Sequence, residues 1–434
     1  MATLNLIKAP KLSKRLATLL EGDFDFNSVD SLYASHAIHP FAAKFPPQIP
    51  HLFIEELTQS GDSILDPMAG SGTTIVEAAL LKREAFGFDI DPLAIRLCRV
   101  KTTFLDPKHL EKLGIQIIQE AKAIKGLRDI LLTDLQERFD QETRKFLDYW
   151  FLPETQFELL ALIKAIEKTT EPPESEFFEL VFSSCIIAKS GGVSLARDLA
   201  HSRPHRDRGK QPKDAIVEFG IKLGKSLRKF ESLPQRAKRV FVDRRRADDL
   251  PLPSNSIDLI VTSPPYANAI DYMRAHKFSL VWFRYPLRTL SELRAQYIGS
   301  ERCNPSYETD GLPQRSRAIV HLLQEKDSSK AKVVRKYLVE MQAVISEMRR
   351  VLKPGKAAVI VIGPSLMRGM EVKTHEYLAE IGESVGFQVA GIQKRKIDRD
   401  RRMLPASFGG NGRSTIEQRM HQEFILGLIK SDIR

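Results

Sequence analysis

The sequence predicts an α/β protein with a parallel sheet and a mostly helical insert, and two observations support this prediction. The stretch from Gly61 to Val100 alternates strand, tight loop, helix, strand and helix, which is typical of a parallel sheet with right-handed crossovers. From residue 106 to residue 234, long helical patterns replace that alternation, and the strand and helix rhythm resumes only afterwards. The helical stretch is therefore expected to interrupt an otherwise continuous α/β fold.

The first half of the expected sheet is defined by short apolar runs between polar or glycine-rich breaks. Residues 1–35 indicate a partly helical N-terminal extension, and a proline-rich loop then leads into a helix from about Pro50 to Leu57. The alternating unit that follows comprises strand "SILD", loop "PMAGSGT", helix "TIVEAALLK", strand "EAFGFDID" and helix "PLAIRLCRVK".

The second half contains the strand that ends most abruptly. "IDLIV", Ile257 to Val261, is apolar enough for a buried strand, but Pro264 and Pro265 follow it and cannot donate to a sheet ladder. The chain must therefore turn at a rigid corner there. Beyond it we expect helix "KYLVEMQAVISEMRRVL", turn "KPGK", strand "AAVIVIG", helix "THEYLAEIGESVG" and strands "FQVAGIQKRKI" and "QEFILGLIK".

Bulk composition favours a nucleic-acid partner and a reducing compartment. The 434-residue chain carries a formal net charge of +11, and clustered Lys and Arg attract phosphates. Three cysteines lie far apart, without the spacing of a disulfide framework or a zinc site. The N-terminus lacks the apolar core of a signal peptide, and no apolar run approaches the ~20 residues of a membrane helix. We therefore expect a cytoplasmic protein with no membrane partner and no metal.

The positive charge is concentrated in two places. Residues 201–250 contain 15 Lys and Arg against seven Asp and Glu, and "KRKIDRDRR" forms a second cluster from Lys394 to Arg402. Either cluster alone is compatible with a solvated face, whereas the two together favour a surface that tracks a nucleic-acid backbone. The candidate phosphate contacts are Arg244, Arg245, Arg246, Lys394, Arg395 and Lys396.

A glycine-rich turn between a strand and a helix indicates a nucleoside-binding site. In "DPMAGSGTT", Gly70 and Gly72 let the backbone turn sharply and approach a ligand, and the helix N-terminus favours a negative group. Asp89 ends the next strand, where its carboxylate can accept hydrogen bonds from ribose hydroxyls. The third glycine of a dinucleotide fingerprint and the Gly-Lys of a triphosphate loop are both missing. A nucleoside with a small zwitterionic tail, such as S-adenosylmethionine, fits this turn better.

Three segments together resemble the amino-methylating DNA methyltransferases. "DPMAGSGTT" resembles their cofactor motif, Asp-Pro-Phe-x-Gly-Ser-Gly-Thr-Thr, and "TSPPY" resembles their catalytic motif in the serine form typical of cytosine-N4 enzymes. "HPFAAKFPPQIP" resembles the upstream segment that wraps the methionine end of the cofactor. The resemblance covers about residues 36–105 and 240–434, and the joint occurrence of the motifs is specific.

This resemblance implies a seven-stranded, Rossmann-like class I methyltransferase sheet that methylates an exocyclic amino group of a flipped base. Residues 36–105 would form the cofactor-binding part and residues 235–434 the catalytic part. The helical insert, residues 106–234, lies where the family often places target recognition. Double-stranded DNA would be the partner, S-adenosylmethionine the cofactor, and a cognate restriction endonuclease a possible further partner.

The same resemblance assigns roles to residues around the cofactor. Asp66, Gly70 and Gly72 would surround its methionine moiety, and Asp89 would hold the ribose. The family usually has a Gly-Asp-Ala-like segment whose acid approaches the adenine amino group, but this chain has "RRRADDL", so either Asp248 or Asp249 could serve. The full set expected at the cofactor is Lys44, Phe45, Pro46, Asp66, Pro67, Gly70, Gly72, Thr73, Asp89, Asp248 and Asp249.

The rigid corner has a chemical explanation in such an enzyme. An exocyclic amine is a poor nucleophile because its lone pair is delocalised into the ring, so two acceptors must take its N–H groups and turn the lone pair outward. The Ser263 hydroxyl and the Pro264 carbonyl would be those acceptors, followed by Pro265. The ring of Tyr266 would offer a face on which an extruded base can stack, worth ~1–3 kcal/mol.

Several alternatives remain open from the sequence. Cytosine-C5 methylation is disfavoured because it needs a cysteine nucleophile, usually after proline; no Pro-Cys pair occurs, and Cys98 and Cys185 are expected in the core. Ser263 favours cytosine-N4 over adenine-N6, because the adenine enzymes commonly have Asp or Asn there. The alternatives are an adenine-N6 DNA enzyme, an RNA amino-methyltransferase, and a non-enzymatic nucleic-acid-binding protein with a degenerate cofactor fold.

Overall fold

A computed structural model describes residues 12–26, 29–42, 44–188, 192–197, 199, 204–230, 239–267, 271–300, 311–397 and 421–431. Its strands, in chain order, are β1 Ser63–Asp66, β2 Glu84–Asp89, β3 Ala196–Arg197, β4 His205–Arg206, β5 Val240–Arg244, β6 Ile257–Thr262, β7 Leu352–Ile362, β8 Ser365–Met367, β9 Met370–Val372, β10 Phe387–Lys396 and β11 Gln422–Lys430.

Seven of these strands form one sheet in the order β10-β11-β7-β6-β1-β2-β5. All neighbours are parallel except β11, which is antiparallel to both β7 and β10. The chain moves outward from β1 to β2 and β5, then returns to the other side of β1 to form β6. This reversal creates a switch point, where α/β sheets bind ligands at the carboxyl ends of their strands. The predicted seven-stranded α/β sheet with a helical insert is confirmed.

The helices cover both faces of the sheet and form the insert. Those in the described residues are α1 Leu12–Leu19, α2 Gln48–Leu57, α3 Thr73–Leu80, α4 Pro92–Thr102, α5 Pro107–Lys125, α6 Arg128–Arg138, α7 Gln141–Trp150, α8 Pro153–Thr169, α9 Glu174–Ile186, α10 Ala215–Phe230, α11 Met273–Leu280, α12 Leu287–Ala295, α13 Gln314–Lys326, α14 Ser328–Val351 and α15 Thr374–Ser384, with a 3-10 turn at Ala34–Ala37.

Two Asp-Pro pairs determine where the helices after β2 begin. The side chains of Asp91 and Asp106 accept hydrogen bonds from the backbone N–H groups of Leu93 and Lys108, and each is followed by a proline at the first helical position. An Asp cap satisfies a backbone donor that the helix leaves free, and proline has no N–H to satisfy there. The sequence thus encodes the starts of α4 and α5 locally.

The insert is continuous with the core beside the sheet. Helices α5 to α10 and the β3–β4 hairpin lie in the chain between the parallel neighbours β2 and β5. Trp282, just after α11, is fully buried, and its ring packs edge-on against Phe139 at 5.5 Å and Phe151 at 5.7 Å. Aromatic burial of this kind dominates core energetics. The insert therefore packs directly on the helix that follows the Ser-Pro-Pro corner.

The predicted "KPGK" turn differs from the structure. It lies inside β7, where pairing with β6 shifts register between Leu352 and Ala357 and Gly355 adopts a positive φ of 73°. Lys353 and Lys356 both pair with the carboxylate of Asp258 on β6, at 2.7 and 3.1 Å. The turn residues thus form a bulge that two ion pairs hold against the neighbouring strand.

Within the described residues, every helix is too short or too polar to cross a bilayer.

Candidate active site

An open cleft lies at the carboxyl ends of β1, β2 and β6, at the switch point of the sheet. Its empty volume, including the part continuous with solvent, is about 870 Å³. It brings together residues from segments that are far apart in the chain. The predicted site residues in its wall are Lys44, Phe45, Pro67, Gly70, Thr73, Asp89, Asp248, Ser263 and Pro265.

The glycine turn after β1 has two glycines with different surroundings. Gly70 (φ +50°) lines the cleft, and its amide donates to Asp89 Oδ2 at 2.8 Å. Gly72 (φ +78°) is buried behind the turn, where a Cβ would come within 2.9 Å of Cys98 Sγ on α4. Gly72 is therefore needed for the backbone conformation and for packing against α4. The cleft wall itself contains Gly70.

Asp66 lies below the cleft rather than in its wall. This last residue of β1 is 1% exposed, and its Oδ1 accepts hydrogen bonds from Thr262 Oγ1 at 2.7 Å and from the Met68 N–H at 3.1 Å. Burial raises the pKa of Asp66 to about 6. The carboxyl group thus joins the ends of β1 and β6, and Asp66 is outside the residues that line the cleft.

Asp89 lines the cleft in a fixed orientation. Its Oδ2 accepts from Gly70, and its Oδ1 accepts from the Asp91 N–H at 2.9 Å. Burial, and next the charge of Asp91, raise the pKa of Asp89 to about 7. A carboxylate has about four acceptor positions, so both oxygens keep capacity for donors from the cleft.

Beyond β5, an Arg and an Asp form a fork at the cleft. Arg246 donates from Nε and Nη2 to the two oxygens of Asp248, at 2.9 and 2.7 Å, and both side chains line the cleft. Asp249 is exposed and outside the lining. Of the two candidate acids, Asp248 is therefore the one that lines the cleft. Arg246 lines the cleft too, and part of its side chain is exposed to solvent.

The Ser-Pro-Pro-Tyr corner meets the same cleft. Ser263 and Pro265 line it, whereas Pro264 is buried. The Tyr266 ring is partly buried outside the cleft wall, and its hydroxyl donates to Glu423 Oε1 at 2.7 Å. Just beyond the corner, Ser365 Oγ donates to the Ala267 carbonyl at 2.7 Å, which fixes the chain where it leaves the site.

Of the predicted phosphate contacts, Arg395 is wrong. Lys394 and Lys396 are exposed, but Arg395 is 3% exposed and donates to the Phe24 carbonyl at 3.0 Å and to Glu423. The reason is the alternation of side chains along β10, which directs Arg395 to the opposite face from its neighbours. Arg244 and Arg245 are exposed, whereas residues 398–402 of the second cluster lie outside the described residues.

Sequence reasoning missed several aromatic and charged residues at the cleft. Phe41 and Tyr272 stack at 5.2 Å with an interplanar angle of 26°, and both line it, as does Tyr297. Asp91 also lines it and contacts His276 Nδ1. Although burial opposes ionisation, His276 holds the pKa of Asp91 below its ordinary value. Two of these residues carried a signal, because Phe41 lies in the "HPFAAKFPPQIP" segment and Tyr272 closes the "TSPPYANAIDY" segment.

The chain is similar to known methyltransferases. A family model described as DNA methylase, for N6 and N4 amino-methyltransferases, matches residues 20–99 and 257–404, more than half of the chain. The type II methyltransferase M.MvaI of Kocuria varians is 23% identical over 381 residues, covering 82% of each chain. M.BsoBI of Geobacillus stearothermophilus, also named a type II methyltransferase, is 22% identical over 451 residues, covering 90% of this chain and 87% of its own. A solved SAM-dependent methyltransferase of Methanosarcina mazei covers 87% of this chain and 97% of its own at 12% identity, with a TM-score of only 0.31. The chain belongs to the S-adenosylmethionine-dependent DNA amino-methyltransferase family.

Proposed function

We propose that this protein methylates the N4 amino group of a flipped cytosine at specific sites in duplex DNA. The observation that carries the proposal is that Ser263 and Pro265 line the same cleft as Gly70 and Asp89. The proposed amine-orienting corner and the proposed cofactor site therefore open into the same cleft. Proximity and orientation of this kind account for a large part of enzymatic rate enhancement.

The residues of the cleft fit the parts of S-adenosylmethionine. Two oxygens of Asp89, oriented by backbone amides, suit vicinal ribose hydroxyls, and Asp248 suits the adenine amino group. The turn at Gly70 and the N-terminus of α3 at Thr73 suit a carboxylate. When bound there, the cofactor supplies a methyl group on a positively charged sulfur. Lys44, Phe45 and Pro67 complete the wall.

The corner is built to present two acceptors. Ser263 and Pro264 each precede a proline, which restricts both residues to extended backbone conformations. Thr262, the last residue of β6, donates its hydroxyl to Asp66 and does not line the cleft. Ser263, the next residue, does line it. We propose that Ser263 Oγ and the Pro264 carbonyl accept the two N–H groups of the amine. Pro265 keeps competing N–H donors away from it.

The choice of cytosine and of DNA rests on similarity. Ser263 stands where the adenine enzymes that this chain resembles commonly have Asp or Asn. M.MvaI and M.BsoBI are named type II methyltransferases, which supports a site-specific modification enzyme with a cognate endonuclease. We propose that the insert, residues 106–234, recognises the target sequence, and that exposed Arg244, Arg245, Lys394 and Lys396 contact phosphates.

The proposal is tested by identifying the methylated nucleoside. The protein is incubated with methyl-labelled S-adenosylmethionine and unmethylated duplex DNA, which is then digested to nucleosides for mass spectrometry. We expect label in N4-methyldeoxycytidine. Label in N6-methyldeoxyadenosine would overturn the choice of base, and label in parallel incubations with tRNA or rRNA alone would overturn the choice of DNA.

A further inference from the structure

A buried ion pair at the far end of the sheet reaches the tyrosine of the Ser-Pro-Pro-Tyr corner through its carboxylate, Glu423. Arg395 on β10 and Glu423 on β11 are direct cross-strand partners at the carboxyl edge. Glu423 accepts from the Tyr266 hydroxyl with Oε1, at 2.7 Å, and from Arg395 Nη1 with Oε2. Neither charged residue is part of the cleft wall. The contact reaches across β7, which separates β11 from β6.

We infer that Glu423, held by Arg395, is a positioning residue that fixes the ring of Tyr266 for stacking against the extruded base. This inference rests on the proposed function and on the base-stacking role expected for Tyr266 from the sequence. It assigns Arg395 a role inside the protein in place of the phosphate contact expected from the sequence.

The burial of the ion pair argues against a purely stabilising role. Arg395 is 3% exposed and Glu423 is 9% exposed. Removing two charges from water costs several kcal/mol per ion before their attraction is counted, and an apolar pair of similar volume is often as stable. What this pair provides that an apolar pair would lack is a directed acceptor for the hydroxyl of Tyr266.

A directed acceptor fixes the plane of the ring as well as its position. The hydrogen of a phenol prefers the plane of the ring, so an acceptor in a fixed place restricts rotation about the Cβ–Cγ bond. Burial, followed by the charge of Glu423, raises the pKa of Tyr266 well above its ordinary value, so the hydroxyl stays a donor. The ring is partly exposed, while its hydroxyl end is held inside the protein.

The N-terminal segment holds the other side of Arg395. Its Nε donates to the Phe24 carbonyl, and the adjacent Lys396 N–H donates to Asp25 Oδ1 at 2.6 Å. A guanidinium held by a carbonyl on one side and a carboxylate on the other has little rotational freedom. The guanidinium that holds Glu423, the acceptor for Tyr266, is therefore itself fixed at two points.

The test is a double-mutant cycle on methyl transfer. Tyr266→Phe keeps the stacking face and the ion pair but removes the hydroxyl, and Glu423→Gln removes the charge that holds Arg395. We expect each variant to lower kcat about tenfold, as the loss of one oriented hydrogen bond would, while the affinity for S-adenosylmethionine stays within twofold. The double variant should lose little more than either single variant, because both interrupt the same chain of contacts from Arg395 through residue 423 to the Tyr266 ring.

Asp258→Asn is the matched control. Asp258 is also a buried carboxylate paired with cations, but it lies at the amino end of β6, at the opposite edge of the sheet from the cleft. We expect this variant to lower the melting temperature and leave kcat unchanged. A drop in kcat equal to that of Glu423→Gln would show that lost stability, rather than ring position, explains the effect.

The outcomes separate this inference from the proposed function. Wild-type kcat in Tyr266→Phe, or additive losses in the double variant, would overturn the positioning role. If Glu423→Gln does not fold, the kcat of Tyr266→Phe decides alone. Wild-type protein that methylates RNA but not DNA would overturn the proposed substrate, and the same cycle would then be measured on RNA.

Discussion

Thr262 Oγ1 donates a hydrogen bond to Asp66 Oδ1 over 2.7 Å, joining the carboxyl ends of β6 and β1 beneath the cleft. Asp66 directly precedes the glycine turn, and Thr262 directly precedes Ser263. One buried hydrogen bond thus links the glycine turn, where we propose that the cofactor binds, to the Ser-Pro-Pro corner, which we propose orients the amine. The relative position of the two segments is set inside the protein, before any ligand binds.

Thr262→Val should weaken both folding and catalysis. Valine keeps the shape of threonine but leaves the buried carboxyl of Asp66 without the hydroxyl donor of Thr262, which costs about 1–3 kcal/mol. We expect the free energy of unfolding in urea to fall by this amount and kcat to fall with it. Thr170→Val is the control, because Thr170 Oγ1 donates only to the Ile166 carbonyl within the insert. That variant should keep the wild-type kcat, and a Thr262→Val protein of wild-type stability would contradict the link.

Cofactor affinity should rise with pH through about 7. Burial and the charge of Asp91 raise the pKa of Asp89 to about 7, so at lower pH Asp89 is protonated and a weaker acceptor for ribose hydroxyls. Calorimetric titration with S-adenosylmethionine should show a dissociation constant that falls between pH 6 and pH 8 and then levels off. Asp66, with a pKa of about 6, titrates nearby, so the assignment needs Asp89→Asn. That variant should bind weakly at every pH, and an unchanged pH profile in it would contradict the role of Asp89.

Gly72→Ala should destabilise the protein more than its backbone conformation alone explains. A Cβ would lie 2.9 Å from Cys98 Sγ and 3.2 Å from Cys98 Cα, so α4 would have to move. We expect a loss of about 2–4 kcal/mol, combining left-handed strain with overpacking. Gly369→Ala is the matched control, because Gly369 has a similar φ of +77° and nothing within 4 Å. Equal losses in urea unfolding for the two variants would show that contact with α4 is unimportant.

Removing Arg244 and Arg245 should flatten the salt dependence of DNA binding. If each contacts one phosphate, the double alanine variant reduces the slope of log K against log salt by about 2, since each contact contributes roughly 0.9. Lys353→Ala with Lys356→Ala removes the same charge at the opposite edge of the sheet, where both lysines pair with Asp258. Fluorescence anisotropy with a DNA duplex should distinguish the two. Equal slopes in both double variants would exclude phosphate contacts by Arg244 and Arg245.

The sequence predicts the parts of the site that depend on local chemistry. The bounds of β1 are those of the apolar run "SILD", and the glycine turn and the proline corner are where their residue types require them. Asp89 is the last residue of β2, as the sequence predicts.

The remaining features depend on packing between distant segments. Phe41 and Tyr272 meet by ring stacking across more than 200 residues of chain, which no local pattern indicates. The hydrogen bond between Asp66 and Thr262 joins residues almost 200 positions apart, and the local motif around Asp66 gives no indication of it. Side chains alternate along β10, so Arg395 lies on the opposite face from Lys394 and Lys396, and the three cannot share one phosphate-binding face.

The measurement that tests the central claim most directly is single-turnover methyl transfer by Ser263→Ala. Loss of an oriented acceptor at the reacting amine should slow transfer by roughly 100-fold or more, whereas the dissociation constant for S-adenosylmethionine should stay within twofold. Ser256→Ala is the control, because Ser256 directly precedes the amino end of β6 whereas Ser263 directly follows its carboxyl end. This variant should transfer the methyl group at the wild-type rate. A Ser263→Ala protein that methylates DNA as fast as wild type would contradict the account.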